Sequence, residues 1–252
     1  MVMVLHSTLF ILLALQLLLL YPLQGWRQRR RVDKIGGSFY VDRKRQYLMT
    51  ILISWVAPIA VLFTFWITKT PLSHLGFRLP SSHIFNVTPL LYTIANISVL
   101  LYILVLATAA ILFRLYPKLK KGYVAKIPSI FIPLLPRNSS ERRLWIVLSL
   151  TAGITEEILF RGYLFFIIPL LFKTTTLWPA AILSTTLFAI GHLYQKWEAL
   201  KPLVVGALFT FIYYSTGSLL WIVILHTLQD AFAVGMLREE SQRDSLKGDD
   251  TP

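Results

Sequence analysis

Seven long apolar runs, each separated from the next by a polar or basic interval, require this chain to fold in a bilayer rather than around a water-soluble core. They lie at about 4–23, 47–68, 89–115, 144–172, 177–193, 202–214 and 219–237. About 20 apolar residues in a helix cross a ~30 Å hydrocarbon layer, where only helices or closed barrels satisfy every backbone polar group. Runs of this length predict an all-α, multi-span helical bundle of about seven spans. The fourth run is long enough to be split at Gly162 or Pro169, which would make eight. Pro58 predicts a kink in the second. The first run has no basic segment before it and no A-x-A-like cleavage site, and is read as a retained anchor.

Lys and Arg distribution sets the orientation. Arg27, Arg29, Arg30, Arg31, Lys34, Arg43, Lys44 and Arg45 lie between runs one and two, and Arg114, Lys118, Lys120, Lys121, Lys126, Arg137, Arg142 and Arg143 around the interval between three and four. Between two and three stand only Lys69 and Arg78. By the positive-inside rule the N-terminus lies outside and the C-terminus inside. This pattern also accounts for the net charge of +13. The basic residues flank apolar runs without an RNA- or DNA-binding motif, so membrane lipids are expected as partners and nucleic acid is not. With no cysteine, thiolate catalysis and Cys-ligated zinc are excluded.

Few ionisable groups then remain at depth: Glu156, Glu157, Arg161, His192, His226 and Asp230, all in runs four, five and seven. Ionisable groups are costly in hydrocarbon and mark functional sites. Glu157 and Arg161 stand at i,i+4 with the acid first, the favourable order for an ion pair. Glu156 is rotated by about 100° from Glu157 and has no local cation, which suits it to act as a general base. His226 and Asp230 are again i,i+4, and His192 follows Phe188 by one turn. At ~1.5 Å per residue these groups fall in the cytoplasmic half of the bilayer. Taken singly, the Glu157–Arg161 pair reads first as a structural salt bridge, and the His226–Asp230 pair also fits a carboxylate orienting a histidine that bridges helices. Ser184, two turns before His192, reads as a packing residue.

Glu156-Glu157-x-x-x-Arg161, Phe188-x-x-x-His192 and His226-x-x-x-Asp230, in this order, resemble the three motifs of the type II CAAX prenyl endopeptidases, also called the CAAX protease and bacteriocin-processing (Abi) family. The resemblance covers about residues 140–240, and Leu75-Gly76-Phe77-Arg78 is loosely similar to a family loop. It implies a glutamate-type intramembrane protease without an acyl-enzyme. Glu156 and His192 would activate water, His226 and Asp230 would stabilise the oxyanion, and Glu157, Arg161 and Phe188 would support them. Many relatives carry Asn where this chain has Asp230, so Asp230 either holds a proton or orients and charges His226.

The expected organisation is a scaffold over 1–140 with basic cytoplasmic loops, a catalytic core over 141–237 and a polar tail over 238–252. The chain is expected in a bacterial-type plasma membrane with its site toward the cytoplasm. Its substrate would be a peptide or protein, including one carrying a lipid, and no cofactor is expected. A metalloendopeptidase-like reading would use Glu156, His192, His226 and Asp230 as metal ligands, although no H-E-x-x-H motif is present. A non-catalytic scaffold, immunity protein or proton-coupled transporter would use the same groups as helix glue or a proton relay.

Overall fold

In a computed structural model, residues 2–35, 42–125, 127 and 131–236 are described. They form helices joined by short connections, with no strand among them. The first run becomes one helical rod, α1 (Val2–Leu15), a π segment (Gln16–Leu20) and α2 (Tyr21–Ile35). Runs two and three become α3 (Arg43–Ile67) and α4 (Pro89–Leu115), followed by the short α5 (Pro117–Val124). The fourth becomes α6 (Ser139–Glu157), a π segment (Ile158–Tyr163) and α7 (Leu164–Phe172). Next come α8 (Trp178–Gly191), a 3-10 segment (Leu193–Ala199), α9 (Leu200–Thr216) and α10 (Leu219–Met236).

The fourth run is thus continuous helix through both Gly162 and Pro169, and α3 likewise runs through Pro58. Among the described residues four stretches are long and apolar enough to cross a bilayer: Val2–Arg27, Arg43–Ile67, Pro89–Leu115 and Leu193–Thr216. Trp178–Gly191 and Leu219–Phe232 are shorter apolar helices. Large apolar side chains cover the outside, among them Leu52, Val56, Trp66, Leu90, Leu100 and Leu104. A water-soluble fold does not expose so much contiguous apolar surface. The chain is an integral membrane protein, all-helical over its described residues. The 238–252 tail and Leu237 lie outside the described residues.

Caps start the helices where the apolar runs begin. The Asp42 carboxylate accepts from Arg45 N at 3.1 Å, and the Asn138 side chain accepts from Glu141 N at 2.9 Å. Glu141 then ties the start of α6 to α3, accepting from Arg43 Nε at 3.0 Å and from Arg137 N at 2.7 Å. Burial alone would raise the Glu141 pKa, but the Arg137 amide and the Arg43 guanidinium outweigh it and hold the carboxyl below its ordinary value. Its stabilisation is therefore full above the ordinary value of 4.5 and is lost as pH falls through the lowered one.

At the opposite end, the connection between α3 and α4 folds back over the turn joining α9 and α10. Gly76, at φ 89°, accepts from Leu219 N at 3.0 Å, and Arg78 Nε donates to Gly217 O at 2.8 Å. Leu75 is fully buried there, its carbonyl set against Gly162. The stretch Leu75 to Arg78 is therefore a clamp on the C-terminal helices.

The central contact of the bundle is α6 along α10, with α3 on the other side of α6. Gly153 lets α6 and α10 approach. A Cβ there would lie 2.5 Å from Thr227 Oγ1 and 3.1 Å from both Thr227 N and Val223 O. The hydroxyl can rotate away, but the α10 backbone cannot.

Gly153→Ala should therefore lower the thermal unfolding midpoint in detergent, by an amount equivalent to about 1–3 kcal/mol of overpacking. Gly122→Ala, whose Cβ would meet nothing within 4 Å, should leave the midpoint level or raise it.

Candidate functional site

The α6–α10 contact brings the two glutamates of α6 to His226 of α10, and local geometry gives the glutamates different surroundings. Glu157 points into the bundle, its side chain 0% exposed, as is that of Arg161. Arg161 Nη1 donates to both Glu157 oxygens at 2.9 and 3.0 Å, and Nη2 donates to Gly206 O of α9 at 2.9 Å. The guanidinium carbon also stands 4.7 Å from the Phe188 ring centre of α8, within cation–π range. One cation thus ties together α6, α8 and α9. Gly206 permits this closeness, since a Cβ there would lie 2.9 Å from the Phe188 ring and 3.4 Å from Arg161 Nη2.

The i,i+4 pairing expected between Glu157 and Arg161 is present, and Glu157 has a second partner that helical spacing alone does not reveal. His226 Nδ1 lies 2.7 Å from Glu157 Oε1. An ionised carboxylate only accepts, so Nδ1 carries the proton and the ring is fixed with Nε2 turned away from Glu157. That Nε2 faces two further carboxylates, Glu156 Oε2 at 3.8 Å and Asp230 Oδ2 at 3.7 Å. Both gaps exceed a hydrogen bond, leaving the Nε2 corner free of a direct protein acceptor. The hydrogen bond that orients His226 thus comes from Glu157, and Asp230 stands at the opposite nitrogen. Glu156, which makes no described ion pair within its own helix, faces this imidazole of α10.

Burial separates two layers. Glu157, Arg161 and His226 are enclosed, whereas the side chains of Glu156 and Asp230 are 26% and 34% exposed, and His192 is half-buried. His192 ends α8, where its Nδ1 lies 2.7 Å from Phe188 O. A carbonyl only accepts, so this nitrogen also carries the proton and Nε2 keeps a lone pair. His192 lies within electrostatic reach of His226, Asp230 and Arg161. Its ring is 4.7 Å from that of Phe188, which in turn stands 6.2 Å from His226. All seven residues singled out in the sequence therefore belong to one neighbourhood, held by α6, α8 and α10.

Two tyrosines complete it without any sequence signal. Tyr21 of α2 lies within electrostatic range of Glu156, and the ring of Tyr194, in the 3-10 segment, stacks on that of His192. Neither belongs to a charged motif, and Tyr21 lies far from the others in sequence. Ser184 is fully buried in α8 and is not aligned with a base in any described contact. Among the described residues, no three His, Asp or Glu side chains converge as a set able to hold a metal ion. The two-histidine, two-carboxylate ligand set considered from the sequence is therefore not assembled.

The arrangement offers two partly exposed carboxylates, Glu156 and Asp230, facing a histidine fixed by a buried carboxylate, with His192 within electrostatic reach of Asp230 and His226. Such a set can supply a base for water and, with His226 protonated at both nitrogens, a donor for developing negative charge; among the described contacts no hydroxyl is aligned with a base. Residues 138–232 match the family model described as type II CAAX prenyl endopeptidase Rce1-like. No curated protein and no solved structure matches the chain.

Removing Arg161 while keeping Glu157 strands a buried carboxylate. Arg161→Met should cost about 3–5 kcal/mol in stability, read from unfolding in detergent. Adding Glu157→Gln, which keeps an oxygen acceptor for His226, should recover most of that loss.

Proposed function

We propose, from the premise that residues 138–232 are a domain of the type II CAAX prenyl endopeptidase Rce1-like family, that this protein is an intramembrane endopeptidase. It hydrolyses a peptide bond near the cytoplasmic membrane face through water activated by Glu156 and His192. The family supports peptidase activity. The mechanism rests on the division between Glu157, enclosed and bonded to Arg161 and His226, and Glu156, partly exposed opposite the free His226 nitrogen.

In this mechanism Glu156 takes a proton from water while the water oxygen attacks the scissile carbonyl carbon. The His192 lone pair helps to hold that water. The carbonyl oxygen becomes an oxyanion and accepts from Nε2–H of His226, which acts as an imidazolium protonated at both nitrogens, its Nδ1–H kept in register by Glu157. Asp230 balances charge at this nitrogen and need not touch the oxyanion, which an ionised carboxylate would repel. Collapse of the tetrahedral intermediate breaks the C–N bond. The proton held by Glu156 passes to the leaving nitrogen, and the products are a carboxylate and an amine. No covalent enzyme intermediate forms, and Glu157, Arg161 and Phe188 act only as supports.

On this reading residues 141–237 are the catalytic core and residues 1–140 carry the scaffold and basic loops. The seven helical runs cross or enter the bilayer with the N-terminus outside, and the substrate is a membrane-associated peptide or protein, including one carrying a lipid. The location is a bacterial-type plasma membrane, with the basic ends of α2, α3, α5 and α6 meeting cytoplasmic anionic headgroups.

Purified protein in lipid vesicles should cleave a peptide substrate recovered from its own membranes. Glu156→Gln and His192→Ala should each lower kcat by about 10²–10⁴-fold while leaving the unfolding midpoint nearly unchanged. Ser184→Ala should retain activity. Full activity in Glu156→Gln would overturn the reading.

A further inference from the structure

Helix α2 lies outside the matched stretch 138–232, yet it packs against α8 and the 3-10 segment that follows His192. Three contacts concentrate on Tyr194. The Arg29 guanidinium donates from Nη1 to Tyr194 O at 2.8 Å. Gly25 lies flat against the Tyr194 ring, so close that a Cβ at position 25 would collide with ring carbons. The ring in turn stacks on His192, centroids 6.2 Å apart and planes 26° from parallel. Aromatic pairs interact favourably at such separations.

The backbone beyond Tyr194 requires this restraint. Lys196 adopts φ 59° and ψ −129°, a conformation that a residue with a side chain takes only where its surroundings impose it. The hydrogen bond from Arg29 fixes the chain two residues before that turn. The His192 side chain has one described hydrogen bond, to Phe188 O, and that bond leaves rotation about its axis to be set by ring contacts. Phe188 bounds one side of the imidazole and Tyr194 stacks on it as well.

We propose that Tyr194 is a positioning residue for His192, and that the N-terminal helix holds it in place through Gly25 and Arg29. The proposal rests on the peptidase reading for the consequence of positioning, although not for the positioning itself. The N-terminal rod is then part of the catalytic architecture as well as a membrane anchor. A tyrosine ring, rather than its hydroxyl, is the required feature, because the contact with His192 is made by ring faces.

The test measures both chemistry and ring position. In vesicles, Gly25→Ala and Tyr194→Ala should each lower kcat roughly ten- to a hundredfold, with KM within about twofold and a cooperative unfolding transition that shows the protein folded at the assay temperature. Tyr194→Phe should keep wild-type kcat. The double variant Gly25→Ala/Tyr194→Ala should be no slower than Tyr194→Ala, because Gly25 acts through the ring it faces. In parallel, ¹⁵N-histidine ring spectra, with the His192 signals assigned by their loss in His192→Ala, should show them displaced in Gly25→Ala and Tyr194→Ala and unmoved in Tyr194→Phe. Unmoved His192 signals in Gly25→Ala and Tyr194→Ala, or additive kinetic losses in the double variant, would overturn the proposal. Displaced signals in a protein that cleaves no peptide would uphold it and refute the peptidase reading instead.

Discussion

The buried junction of Arg161, Glu157 and His226 is the interaction on which the rest depends. One guanidinium meets one carboxylate in the centre of the bundle, and that carboxylate also holds the imidazole of a different helix. A buried ion pair gains little net stability over an apolar pair of similar volume, because both charges surrender their water. It does impose a geometry. The guanidinium must reach Glu157 and the Gly206 carbonyl together while lying over Phe188, which fixes α6, α8 and α9 around one point. Glycine at 153 and 206 lets the backbones come near enough for these short polar contacts.

With Glu157 committed to two partners inside, its neighbour has a different environment. Glu156 is one residue earlier on the same helix, so the turn of the helix directs it to the partly exposed face shared with Asp230. Adjacent carboxylates of identical chemistry thus have separate surroundings, one enclosed and one partly exposed. The same logic holds for the histidines. A short contact at Nδ1 fixes each ring, to a carboxylate for His226 and to a carbonyl for His192, and directs each Nε2 elsewhere.

Much of this was legible in the residues. The apolar runs marked the helices because a bilayer leaves backbone groups no alternative partner, and the rarity of charge inside them singled out Glu156, Glu157, Arg161, His192, His226 and Asp230. The i,i+4 rule identified the Glu157–Arg161 pair. It could not show that Glu157 also binds His226, since that bond depends on how α6 and α10 are packed, and Gly153 reads in sequence as only another small residue. Tyr21, Gly25, Arg29 and Tyr194 were silent for the same reason. Arg29 belonged to a basic cluster already explained by membrane orientation, while its guanidinium reaches a carbonyl beside the site. The seventh run, expected to Leu237, is described as helix to Met236.

The central claim is that Glu156 and Glu157 have divided chemistry and structure between them. Its most direct test is modification by dicyclohexylcarbodiimide, which reacts with carboxyl groups in apolar surroundings, followed residue by residue with mass spectrometry against peptidase activity in the same samples. The account predicts that label accumulates on Glu156 in one-to-one proportion with lost activity, while Glu157 stays unmodified in the folded protein. Activity persisting after complete modification of Glu156, or inactivation that follows label on Glu157 instead, would contradict it.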